Sequence, residues 1–315
     1  MHTMTRRHFL ESSALAAGAL ALANAPGLQA DPLGLPIGLQ LYTVGDDLRK
    51  DLDGTLRTIA AIGYRSVETA GMPGSLKAAD LRKGLDANGL VCQSTHYPLP
   101  LLLGGVQKAL DEVAALGAKY LICSTPWVAD ATRFKPAASM EEAFMALMRT
   151  LTLDDWRWNA EQFNKIGEQC ARAGIQFGYH NHHFEFQRFG ETRGFDELLA
   201  KTDPRLVTIE LDCGWVAAAG LSPVDYLRRH GDRIRLLHVK DLEAVTGAAK
   251  DSAAGASFAM RGTAIGKGSL DWPGIFAAAK TAGVRGYFVE QEPPYARPPL
   301  EEIRDSYAYL HALPA

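Results

Sequence analysis

Eight times between residues 37 and 310, a short apolar run of β-forming residues is followed by a stretch whose apolar positions recur at three- and four-residue spacing. The first run, 37–41, precedes a helical stretch over about 51–62 with Leu52, Leu56, Ile59 and Ile62 on one face, and Gly63 stops it. Runs at 64–68, 90–95 and 120–123 follow. Helical stretches around Leu81 and Leu85 and over 106–116 lie between them, closed by Asn88-Gly89 and by Gly117. The longest connection, 124 to about 153, contains Pro126, Trp127 and Pro136, and a helix over 154–173 with Asp154 as its cap comes next. Runs at 175–180, 207–212, 234–239 and 287–290 complete the set. Helices are expected over 195–201, from Ser222-Pro223 onward, over 272–282 and over 301–310; the Ala/Gly-rich stretch 242–267 reads as a loop. Strands that alternate with helices pair in parallel, and eight such units close into a (β/α)8 TIM barrel of the α/β class. An open doubly wound sheet carries a glycine-rich turn after its first strand. Here that place holds Tyr42-Thr43-Val44-Gly45-Asp46.

The first 30 residues stand outside this pattern. Arg6-Arg7 and Phe9-Leu10 precede an Ala-rich apolar stretch at 14–23 and small residues up to Ala30. That order is expected of a twin-arginine export signal removed near Ala30, leaving residues 31–315 as one barrel domain in the periplasm. The apolar stretch is too short to be expected to anchor the chain in a membrane. Removing Arg6, Arg7 and Glu11 with the signal changes the net charge from -3 to -4. An acidic chain is a poor partner for phosphate backbones, so nucleic acid is not expected as a ligand. Cys92, Cys123, Cys170 and Cys213 have neither disulfide-scaffold nor zinc-ribbon spacing and are expected to be buried thiols.

In a barrel of this kind, chemistry collects at the carboxyl ends of the strands. Those positions hold Gln40 and Tyr42, Glu68, His96, His180-Asn181-His182-His183-Phe184-Glu185, Glu210-Leu211-Asp212, His238-Val239-Lys240-Asp241 and Glu290-Gln291-Glu292. Five of the nine histidines fall there. A lone histidine or carboxylate at a strand end is usually a hydrogen-bonded rim residue or a helix cap. Several on neighbouring strands are costly to bury together without a cation. His180, Asp212, His238 and Glu290 make an oxygen-and-imidazole set suited to one divalent ion: Mn²⁺, Zn²⁺, Co²⁺ or Mg²⁺. Whether His180 or His182 is the strand-five ligand stays open at this point.

The segments IGLQLYTV, IGYRSVE, GYHNHHFEF, IELDCGW, LLHVKD and FVEQE resemble the sugar phosphate isomerase/epimerase family of the xylose isomerase-like TIM-barrel superfamily. The resemblance covers the chain from Ile37 to the last helix. It implies one divalent metal held by His180, Asp212, His238 and Glu290. Relatives commonly carry Glu at the strand-five position, and the Tyr-His-Asn-His form here is more similar to inosose dehydratase-like and 3-keto-glycoside lyase-like members. The implied activity is isomerisation or epimerisation of a carbohydrate or keto-sugar through a metal-stabilised enediolate. The alternative is a lyase or dehydratase acting on a 3-keto-glycoside or keto-cyclitol. A non-catalytic sugar-binding protein is a further reading, since fold alone does not fix function. Glu290, His182, Glu185 and Lys240 are the candidate catalytic groups. Gln40, Tyr42, Glu68, His96, Trp215 and Gln291 are the candidate substrate contacts, with Trp127 as a further ring face. The expected partner is a small sugar, with no stable membrane association; the sequence also allows a homo-oligomer.

Overall fold

The apolar runs become eight parallel strands that close on themselves. The computed structural model of the chain describes residues 31–72, 76–134, 140–244 and 260–314, so the expected export signal lies outside the described residues. The barrel strands are Gly38–Gln40 (β1), Ser66–Thr69 (β2), Val91–Pro98 (β3), Tyr120–Thr125 (β4), Gln176–His180 (β5), Val207–Asp212 (β6), Ile234–Val239 (β7) and Gly286–Val289 (β8). Each pairs with its sequence neighbour, and β8 pairs with β1, so the sheet has no free edge. Side chains alternate between inside and outside along a strand. Residues 236, 238 and 240 therefore share the inside with 208, 210 and 212.

The outward faces join the surrounding helices in one large apolar cluster. Inside, a separate small cluster of Ile122, Leu236 and Phe288 makes an apolar floor. Gly178 is required there, because a Cβ at that position would lie 2.6 Å from Ile122 Cδ1. The four thiols are buried and free, as the sequence suggested. Among the described residues no helix is long and apolar enough to cross a membrane.

Several local expectations change. The helix Leu153–Arg172 is capped by Thr152 rather than Asp154. Thr152 and Asp155 form a reciprocal capping box, and Asp155 is buried because it also binds the Ala129 N–H and Arg133. The helix after β3 begins at Leu99 and is broken at Gly105, whose φ of 151° opens the chain. The connection after β4 includes a helix, Met140–Thr150. The stretch expected to be a loop after β7 begins as a ribbon, with Asp241–Ala244 pairing antiparallel to Met260–Thr263. Its polar, Gly-containing strands have no clear alternation, which hides them from pattern reading.

Candidate active site

Strand register makes neighbours of the polar strand ends. Gln40 pairs with Glu68, His180 with Glu210, and Asp212 with His238. The result is two polar layers above the apolar floor, joined by His238.

The deeper layer is sealed. Glu68 Oε1 accepts from Gln40 Nε2 at 2.9 Å and lies 2.6 Å from His238 Nε2 and 2.9 Å from His96 Nε2. Glu210 Oε2 lies 2.6 Å from His96 Nε2 and 3.3 Å from both His238 Nε2 and His180 Nδ1. Burial alone would raise the Glu68 carboxyl, but the flanking His96 and His238 rings hold it well below its usual range. Glu210 is pushed up to about 7, first by burial and then by the nearby Glu68 charge. The two carboxylates overcome the burial of His96 and raise it to about 9. His180 goes the other way, well below its ordinary value, first because it is buried and then because His238, the other neighbouring imidazoles and Lys240 oppose a further positive charge.

The upper layer is equally buried, apart from Glu292. Asp212 uses Oδ1 to cap the short helix Cys213–Ala218 through the Trp215 N–H at 2.7 Å. Its other oxygen lies 3.8 Å from His238 Nδ1 and 3.3 Å from Lys240 Nζ. Glu290 Oε2 lies 3.1 Å from His238 Nδ1 and 2.9 Å from Lys240 Nζ. Glu292, one-third exposed, contacts the same ammonium at 2.5 Å. That ammonium sits 4.6 Å from the centre of a Trp215 ring. Burial would lower the Lys240 pKa, yet the carboxylates of Asp212, Glu290 and Glu292 hold it well above the ordinary lysine value.

Three of the four expected metal ligands, Asp212, His238 and Glu290, therefore converge as one group of donor atoms within 4.8 Å of one another. The fourth, His180, converges instead with His96, Glu210 and His238. The ring of His180 still lies 4.4 Å from that of His238, centre to centre. His182 stays beside it, 4.9 Å away, among Phe144, Phe184 and Trp215. Glu210 Oε1 is buried with no hydrogen-bond partner, and buried His180 Nδ1 and Asp212 Oδ2 have only the 3.3 Å contacts to Glu210 and Lys240. Buried polar atoms are rarely left so. Together with the oxygen-and-imidazole donor set, they fit a bound cation.

Other expected site residues separate by depth. Gln40, Glu68 and His96 are buried and bonded within the deeper layer. Glu185 is fully buried behind His182, bonded by the Tyr179 hydroxyl at 2.7 Å and 3.8 Å from His182 Nδ1. Tyr42 is half exposed in the turn Leu41–Val44. Gln291 is fixed by its N–H to the Thr43 hydroxyl, and its Nε2 has no partner. Trp215 Nε1 is likewise unpartnered. Trp127 packs on Phe134 and is tied to Asn159, outside the two layers. The sequence reading gave no role to Glu210, Glu292 or Asp241. Alternation supplies a signal for Glu210, which stands two residues before Asp212 on the same inner face.

A family model described as xylose isomerase-like TIM barrel matches residues 56–313. The inosose dehydratase of Geobacillus thermodenitrificans (strain NG80-2) is 28% identical over 232 residues, spanning 69% of this chain and 75% of that protein. The crystal structure of a sugar phosphate isomerase/epimerase from Parabacteroides distasonis superposes with a TM-score of 0.69 at 27% identity, covering 92% of this chain and 96% of that one. The IolI protein, whose structure holds a zinc atom, shares the fold with a TM-score of 0.58 at 14% identity, over 87% of this chain and 96% of that one.

Proposed function

We propose, from the premise that the chain belongs to the xylose isomerase-like TIM-barrel family, that it isomerises or epimerises a carbohydrate or keto-sugar by moving a proton at a carbon beside a carbonyl. The observation that carries this reading is the convergence of Asp212, His238, Glu290 and the Lys240 ammonium at one end of the barrel. The similar proteins are isomerases, epimerases and dehydratases, which supports an enzyme.

Asp212, His238 through Nδ1, and Glu290 would hold one divalent ion, with His180 as the fourth donor. Mn²⁺, Zn²⁺, Co²⁺ and Mg²⁺ are the candidates. Such an ion, when bound, supplies Lewis acidity toward a carbonyl oxygen. The chain's own residues do the rest. Lys240 is held charged, so its part is to donate a hydrogen bond to an oxygen on which negative charge grows, not to act as a base. His182 and Glu290 are the candidate groups for taking the proton from carbon. Glu185 is shut in behind His182 and bonded by the Tyr179 hydroxyl, so it does not face the mouth itself. Trp215 and Tyr42 offer ring faces for a sugar, and the free amide of Gln291 offers a donor for its hydroxyls.

Glu68 meets the far nitrogen of His238, the outer support typical of a metal-binding histidine. Glu68→Gln is therefore expected to weaken retention of Mn²⁺ by about ten- to a hundredfold. Calorimetric titration checks this, and unchanged affinity removes Glu68 from that role.

A second reading is favoured by the similarity to inosose dehydratase: the same proton removal followed by loss of a β-hydroxyl or glycosyl group. Incubation with keto-sugars, 3-keto-glycosides and inososes in D₂O with Mn²⁺, followed by NMR, separates the two. Deuterium beside the carbonyl in a retained carbon skeleton supports isomerase or epimerase action. Release of water or an aglycone supports the lyase. Absence of exchange and elimination across the panel overturns both.

We also infer export to the periplasm by the twin-arginine route, supported by Arg6-Arg7 and the apolar stretch that follows. Replacing Arg6→Lys together with Arg7→Lys should leave the precursor in the cytoplasm on fractionation. Undiminished periplasmic protein sinks that inference.

A further inference from the structure

The same two carboxylate oxygens serve two purposes at the barrel mouth. Asp212 Oδ2 and Glu290 Oε2 converge with His238 Nδ1, and both face Lys240 Nζ, at 3.3 and 2.9 Å. A divalent ion binds carboxylate oxygen at about 2.0–2.2 Å. An ion on both oxygens and an ammonium on both oxygens would stand within about 4 Å of each other, where like charges repel strongly in a desolvated site. Lys240 has a second seat within reach. Glu292 contacts it at 2.5 Å from the more exposed side, and the Trp215 ring lies beneath the ammonium at 4.6 Å. Gly214 packs directly against the base of this lysine, where a Cβ would lie 2.7 Å from the Lys240 carbonyl oxygen and 2.9 Å from its Cβ and Cγ.

We propose that Lys240 competes with the divalent ion for Asp212 and Glu290, withdrawing to Glu292 and Trp215 when the ion binds, so that loading exchanges one cation for another. The proposal rests on the reading of the mouth as a metal site. It gives Lys240 a role distinct from its contact with substrate: it sets how tightly the ion is held and keeps the carboxylates together in the metal-free protein.

The test uses the mature protein stripped with chelator and titrated with Mn²⁺ by calorimetry. Lys240→Met is expected to bind Mn²⁺ at least tenfold more tightly than the parent. Its melting temperature is expected to fall below the parent's in the stripped form and to rejoin it when Mn²⁺ is saturating. Lys240→Gln, which keeps a polar head, should follow the same pattern and replaces the first variant if that one does not fold. A crystal structure of the Mn²⁺-loaded parent should place Nζ away from Asp212 and Glu290 and still on Glu292. Equal or weaker Mn²⁺ affinity in both variants overturns the competition while leaving the metal site standing. A melting deficit of the same size with and without Mn²⁺ overturns it too, because a packing role alone would produce that. If neither parent nor variants bind Mn²⁺, the metal reading itself fails.

Discussion

His238→Ala should lose its divalent ion on gel filtration and lose proton exchange by more than about a hundredfold. The lower bound comes from what the removal of a mere outer support of a metal ligand already costs. His238 is a stronger case because both of its nitrogens are engaged. Nδ1 meets Glu290 and Asp212, and Nε2 meets Glu68 and Glu210. Without the ring, the mouth loses the imidazole that converges with Asp212 and Glu290. The deeper layer then has two buried carboxylates with only His96 between them. Metal analysis together with the D₂O assay reads both effects. Full exchange in metal-free His238→Ala protein would falsify the site assignment.

Asp241→Ala is expected to be the most destabilising single change outside the apolar core, by about 3–5 kcal/mol. The carboxylate is 1% exposed, and five donors end on it. The N–H groups of Leu242 and Leu270 bind Oδ1 at 3.0 and 3.3 Å. Those of Gly266 and Gly268 bind Oδ2 at 2.9 and 3.2 Å, as does the indole of Trp272 at 2.9 Å. Alanine would leave all five without this acceptor, the Leu242 N–H and the Trp272 indole in buried surroundings. Asparagine would do little better, because its amide would turn two donors toward these donors. For a chain of this size the loss corresponds to a fall of roughly 10 °C in melting temperature. Thermal melts, with limited proteolysis across 264–272, measure it. A change below about 1 kcal/mol would mean that this carboxylate does not hold the segment.

The contrast between these two residues explains what the sequence could and could not tell. His238 was legible because it ends an apolar run at a place where barrels keep their chemistry. The eight runs, their parallel pairing and most helix stops were legible for the same local reasons. Asp241 was not, because its partners arrive about thirty residues later on a returning segment. Glu210 stands two residues before Asp212 on the same inner face, but only its contacts with His96 and His180 in the folded barrel give it a part. The depth of Gln40, Glu68 and His96 was hidden as well. Strand-end position places a side chain near the mouth, while the stagger between strands decides which layer it joins. Lys240 shows a further limit: its spacing from His238 puts it inside the barrel, but the convergence of three carboxylates on its ammonium comes only from the fold.

Ile122, Leu236 and Phe288 cluster in the barrel beneath the polar layers, and Gly178 leaves space there for the Ile122 side chain. The reaction chamber is therefore a blind alley. Whatever enters at the strand ends must leave the same way, and a fresh substrate waits until the last product has gone. Traffic through one door makes product and substrate mutually exclusive occupants, so accumulating product will slow the enzyme by competition and not by action at a distance.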